Sequence, residues 1–251
     1  MYLVGIDCAT KPRDVGIALA EMGDPVEVLE IYAGDSNPWG RVIEWVLNFA
    51  GQDVLVALDA PLGWPIALSE ALHEHSAGNP VGNCPNDMFR RSTDRDIHNR
   101  LGKQPLDVGA NRIARTAHAA LKELEFLRES TDNPIPLAWC HDNLGGVQAI
   151  EVYPAATLKS HCIRCDRYKR KNNPDHRRGR EEIARSLPGV SFAGDCWDAV
   201  IANADALDAA VCVLAAADFV RGDATQPPNI DVASREGWIW CRAPNCSSAR
   251  A

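Results

Sequence analysis

Residues 5–21 read GIDCATKPRDVGIALAE, and how this stretch divides decides the fold. Two apolar runs, Tyr2–Asp7 and Val15–Met22, flank the polar break CATKPRD, which spells strand, turn, strand. The first run delivers a carboxylate, Asp7, at its end. Beyond it, Gly23-Asp24-Pro25 signals a turn into a third strand, Val26–Tyr32, with alternating Val26, Val28 and Glu30. Asn37-Pro38 is a cap with proline at the first helical position. It precedes a helix, Trp39–Ala50, that carries Val42, Ile43, Val46, Leu47 and Ala50 at helical spacing. Asp53–Asp59 is then a continuous apolar strand, suited to burial on both faces, and it too ends in a carboxylate, Asp59.

Further along, Ile66–His75 reads as a helix, and residues 76–110 as an irregular insertion rich in Gly, Pro, Asn and charge. Asn111–Arg128 is amphipathic through Ile113, Ala117, Leu121, Leu124 and Leu127. Gly146–Tyr153 is a strand running into Pro154 and a short helix. Helices are expected at about 178–187 and at Asp205–Arg221, and EGWIW (236–240) reads as a closing strand. Three antiparallel strands, a crossover helix and a fourth strand parallel to the first make the ribonuclease H-like order. The expected architecture is α/β, a mixed five-stranded sheet flanked by helices. Residues 1–251 form one domain with insertions at about 76–110 and 159–190.

The totals narrow the classes. The chain has 251 residues, 46% of them hydrophobic, enough for a sizeable core. No apolar stretch reaches the eighteen or so residues of a membrane span. The opening MYLVGIDCAT lacks the basic region of a signal peptide, so a cytoplasmic protein with no membrane partner is expected. Nine cysteines, an odd count, do not read as a disulfide framework, and several within apolar patterns (Cys8, Cys212) read as buried free thiols. His161-Cys162-x-x-Cys165, with Cys241 and Cys246, is a weak zinc pattern. No P-loop, GxGxxG or Gly-x-Ser-x-Gly motif occurs.

Net charge is −8, yet residues 159–185 hold ten Lys or Arg against four acids. The plain reading of this segment is a solvated loop and helix face. The functional one is a contact for a phosphate-bearing substrate, with Lys169 and Arg170 as candidates.

In the expected topology the first and fourth strands are neighbours, so Asp7 and Asp59 converge at one rim. Two close carboxylates repel, and a divalent cation with oxygen ligands, Mg²⁺ or Mn²⁺, is the natural occupant between them. Asp205 and Asp208 lie i, i+3 on one helix face. Asp205 has an alternative duty as a cap. Asp208, among alanines, leucine and valine, has none and joins the candidate site. Glu151, ending VQAIE, is a fourth candidate or else an edge-strand charge. Two metals held here would serve phosphodiester hydrolysis.

GIDCATKPRDVGIAL, ALDAPLGWP, RRSTDRDIHNRLG, EVYPAATLK and DALDAAVCVLAAAD, in that order, resemble the family of unknown function numbered 429 (DUF429). The resemblance spans nearly the whole chain. It implies a ribonuclease H-like fold, a nuclease-like activity, and a site of Asp7, Asp59, Glu151 and Asp208. The first motif also resembles the opening strand of Holliday-junction resolvases, which commonly carry Glu where this chain has Asp59. Arg91 and Asp94 match the family's Arg-x-x-Asp segment, either gripping a substrate phosphate or ordering the insertion as an internal pair. The expected function is a metal-dependent nuclease or phosphodiesterase acting on a phosphate-bearing substrate through the acidic cluster, with DNA, RNA, a nucleotide or another phosphoester all open as that substrate. The alternatives are a phosphotransferase of the actin and sugar-kinase type, which needs a second lobe, and a non-catalytic binding protein.

Overall fold

The computed structural model describes residues 1–82, 84–109 and 111–244. A mixed sheet organises them: β1 (Tyr2–Asp7), β2 (Gly16–Glu21), β3 (Val26–Ala33), β4 (Val54–Asp59), β5 (Val147–Glu151) and β6 (Val190–Phe192). Spatial order is β5-β4-β1-β2-β3-β6. β1–β3 form an antiparallel meander, while β4 and β5 run parallel to β1. The strand order 3-2-1-4-5 with an antiparallel second strand is the ribonuclease H-like topology.

Two corrections concern strands. The sheet has six strands, because β6 pairs in parallel with β3 through only three residues, too short a run to register as a strand in the sequence. EGWIW is no strand: Ile239 makes a single bridge to Glu151, and the Trp240 N–H donates to the Glu151 carbonyl at 2.9 Å. A left-handed turn at Gly237 (φ 84°) swings this segment in from the preceding helix, α10 (Ile230–Glu236).

The remaining helices are α1 (Pro38–Asn48), α2 (Ile66–Leu72), α3 (Pro85–Phe89), α4 (Ser92–Leu101), α5 (Asn111–Thr131), α6 (Pro154–Ser160), α7 (Pro174–Ser186), α8 (Cys196–Ala202) and α9 (Ala204–Val220). The stretch 76–110 is thus less irregular than its composition suggests, since α3 and α4 fall within it. α4 buries Thr93, Asp94, Ile97 and Leu101. No single helix among the described residues is long and apolar enough to cross a membrane.

Side-chain parity assigns the two faces of the sheet. Val4, Ile6, Val54, Val56 and Leu58 pack with Trp39, Trp45, Leu124 and Leu127 of α1 and α5. Leu3, Ala18, Leu55 and Ala57 pack on the opposite face, against α9. α9 is buried along nearly its full length, which is why its apolar residues surround the whole helix instead of forming a stripe. Two glycines let it sit so close. A Cβ on Gly5 would lie 2.1 Å from the Ala209 carbonyl oxygen, and one on Gly16 would lie 2.0 Å from that of Asp205. The start of α9 is therefore pressed onto the β1–β2 pair beside Asp7, the register partner of Gly16.

Candidate active site

The C-terminal ends of β1 and β4 set the site. Asp7 and Asp59 are direct register partners on these parallel strands. Both share the parity of Leu3, Gly5, Leu55 and Ala57, so both belong to the α9 face. α9 brings Asp208 to the same face one turn in from its start. There it is fully buried and accepts a hydrogen bond from the Tyr168 hydroxyl at 2.9 Å. Lys169 Nζ ion-pairs with the other Asp208 oxygen.

The charged groups of this rim act on one another. Burial, then the neighbouring Asp59, pushes the Asp7 carboxyl well above its usual range, with Lys169 opposing and Asp205 adding to the rise. Burial likewise raises Asp59, to about 7, against Lys169 and with help from Glu151. A single ammonium thus acts on Asp7, Asp59 and Asp208 together. Lys169 holds the cationic position that the acids require.

Asp205 is the Asx-capped second residue of α9, its N–H donating to Asn203 Oδ1 at 2.8 Å. Its Oδ2 is buried without a hydrogen bond, and its nearest cation is Lys171 Nζ at 3.4 Å. The three acids Asp7, Asp59 and Asp208 are spread too widely for their ligand atoms all to lie within 4.8 Å of one another. Among the described residues a set meeting that limit is Cys140, His141 and Asp142.

Glu151 approaches from the other face of the sheet, near enough to act on Asp59. It pairs in register with Leu58 rather than Asp59, so it takes the opposite face of the sheet. There it meets Arg91, itself only 2% exposed. Arg91 Nη1 donates to Glu151 Oε2 (2.9 Å) and to the Glu236 carbonyl (3.1 Å). Nη2 donates to Asp94 Oδ1 (3.0 Å) and lies 2.8 Å from Glu151 Oε1, and Nε donates to Asp94 Oδ2 (3.2 Å). The Leu62 N–H also donates to Glu151 at 2.9 Å. Burial raises the Glu151 carboxyl, and Arg91 draws it back. For Arg91, burial works to lower the pKa, but Glu151 and Asp94 more than offset it. The guanidinium fork is committed inside the chain, tying α4 and the Glu236 turn to the end of β5.

In the basic segment, Arg170 lines an open depression with Arg164, Arg167 and Arg178. Arg180, which the charge count placed among the exposed cations, is buried. Its Nη1 donates to the Tyr168 carbonyl (2.7 Å), its Nε to that of Ile201 (2.7 Å) and its Nη2 to that of Ala202 (3.2 Å). It therefore clamps the loop that delivers Tyr168 and Lys169 to Asp208. Its spacing with Ile183, Ala184 and Leu187 marks it as a core position of α7. Tyr168 carried no sequence signal beyond its place next to Lys169.

The zinc pattern does not assemble among the described residues. His161 Nε2 is engaged by Asp218 at 2.7 Å, Cys165 and Cys241 are free thiols, and Cys162 is otherwise engaged. Cys246 lies outside the described residues.

Compared with known families, residues 5–232 match the model described as "Protein of unknown function (DUF429)". No curated protein matches the chain. Among solved structures, T. thermophilus RuvC in complex with Holliday junction substrate is similar at 13% identity. The match covers 84% of this chain and 94% of that one, with a TM-score of 0.32.

Proposed function

The chain belongs to the DUF429 family, and we propose that it is a divalent-metal-dependent nuclease or phosphodiesterase. The observation carrying this reading is that Asp7 and Asp59 leave adjacent parallel strands in register on the face where α9 buries Asp208. Burial, the largest influence on both, raises their pKa values against the pull of Lys169, as expected of carboxylates held out of water.

The donor set fits Mg²⁺ or Mn²⁺: it is all oxygen, carboxylate-rich, and includes a buried Asp205 oxygen lacking a hydrogen bond. Asp7, Asp59 and Asp208 are the proposed ligands, with Asp205 at the margin, and binding would draw their carboxylates closer together than they stand here. When bound, such a cation polarises a phosphoryl oxygen and lowers the pKa of a coordinated water. The chain's own groups have separate tasks. Tyr168, its pKa raised first by burial and then by Asp59, stays protonated and holds Asp208 in orientation. Lys169, whose side chain is more than half exposed, would be free to turn from Asp208 toward a phosphate if a cation were held by the acids. Arg167, Arg170 and Arg178 offer further charge to a polyanion, which favours nucleic acid over a single phosphoester. Glu151, Arg91 and Asp94 support the site by fixing the end of β5 and the insertion.

The test is cleavage of single-stranded, duplex and branched DNA and RNA with Mg²⁺ or Mn²⁺. Cleavage that needs the metal and is lost in Asp7→Asn and Asp59→Asn supports the reading. Absence of cleavage across that panel, together with no effect of Mn²⁺ on melting temperature, overturns it.

A further inference from the structure

Beside the acids, and sharing Asp59 with them, lies a cavity of about 200 Å³. Pro105, Ile113, Val152 and Ile239 are among its apolar lining residues. Its polar groups are few. Thr116 spends its hydroxyl proton on the Arg112 carbonyl at 3.0 Å, and Arg91 and Glu151 are saturated by each other, Asp94 and backbone groups. The Tyr153 hydroxyl remains, with no hydrogen bond to any described residue. Burial, then Asp59, raises its pKa to about 12, so it is a neutral donor at any physiological pH. Leu106, one of the most exposed large apolar side chains (69%), stands among the lining residues.

We infer that this cavity receives one unstacked nucleobase of the substrate, next to the phosphate that the acidic rim acts on. Three observations carry the inference. The space is below the roughly 300–1,000 Å³ of a drug-sized ligand site, so it admits a ring system and no base pair. Its apolar walls suit a planar ring and suit a sugar or phosphate poorly, while the Tyr153 hydroxyl can donate to the ring's edge. It also shares Asp59 with the metal-ligand set, so a group held there lies beside the reacting centre. This rests on the nuclease reading and narrows it. A base can enter only after leaving its stack, so single-stranded, frayed or branched nucleic acid is the substrate class, and continuous duplex is a poor one.

The experiment is calorimetric titration, in EDTA, of a thymidine hexamer and of a fully abasic hexamer. Omitting metal keeps the result independent of whether the rim catalyses anything. The wild-type protein binds the thymidine hexamer about tenfold or more tightly than the abasic one. Ile113→Trp, which fills the cavity, removes that difference by weakening only the base-bearing ligand. Leu106→Trp, at an exposed position that tolerates bulk, reduces it in the same direction, and Tyr153→Phe narrows it several-fold. Equal binding of the two hexamers, no binding of either, or a difference that persists in well-folded Ile113→Trp overturns the inference. Metal-dependent cleavage with equal hexamer binding would retain the nuclease and remove the base pocket. A cavity-dependent preference without cleavage would do the reverse.

Discussion

Asp7 and Asp59 are register partners at the ends of two neighbouring parallel strands, and each is driven toward its protonated form by burial before any other influence. The fold therefore holds, at its sheet rim, a negative charge that it only partly neutralises with Lys169.

That charge has a cost that depends on pH. Asp59 titrates near 3.8 when unfolded and near 7 when folded, so between these values the folded state binds more protons. Stability contributed by this group accordingly falls as pH rises through that window and stays low above it. Asp59→Asn, measured without divalent metal, stabilises the folded state at pH 8 by on the order of a few kcal/mol and so raises its melting temperature there. The gain vanishes below about pH 4. Calorimetry across pH 4–8 checks this, and a uniform loss at every pH would contradict it.

Lys169 is the resident counter-charge, ion-paired with a fully buried Asp208. Lys169→Met leaves that carboxylate with the Tyr168 hydroxyl alone. The expected loss is roughly 1–3 kcal/mol, below that for a fully buried pair because the lysine stem is exposed. Mn²⁺ at pH 8 restores most of the loss by supplying the missing charge. Melting curves with and without Mn²⁺ test this, and a loss that Mn²⁺ leaves untouched would separate the lysine from the metal site.

Arg91 is predicted to be structural. Arg91→Lys keeps the charge but cannot reach Glu151, Asp94 and the Glu236 carbonyl at once. Urea unfolding should show a loss of at least about 3 kcal/mol. A stable Arg91→Lys protein that fails only in binding oligonucleotide would return Arg91 to the substrate.

Much of this was legible in the sequence, because β1 and β4 are apolar runs that each end in one acid, and α9 is an apolar helix that carries Asp208 among alanines, leucine and valine. Asp7, Asp59 and Asp208 stand out where burial leaves a charge unexplained. Glu151 shows the limit. It ends a strand as the other two acids do, but β5 is offset by one residue against β4, and one residue reverses the face. That register is set by tertiary pairing, with no local signature. The same holds for Arg180, whose net-charge reading as a surface cation gave way to a buried clamp. It holds also for β6, whose three residues are strand only because β3 offers an open edge.

The central claim is that the acids at the ends of β1 and β4 and on α9 share a divalent cation. A crystal soaked in Mn²⁺ near pH 8 and read for anomalous scattering tests it most directly. The account predicts a peak between the ends of β1 and β4, beside the Asp7 and Asp59 carboxylates and in reach of Asp208, with Lys169 Nζ displaced. A rim with no peak and Lys169 still on Asp208, or manganese bound only at Cys140, His141 and Asp142, would contradict it.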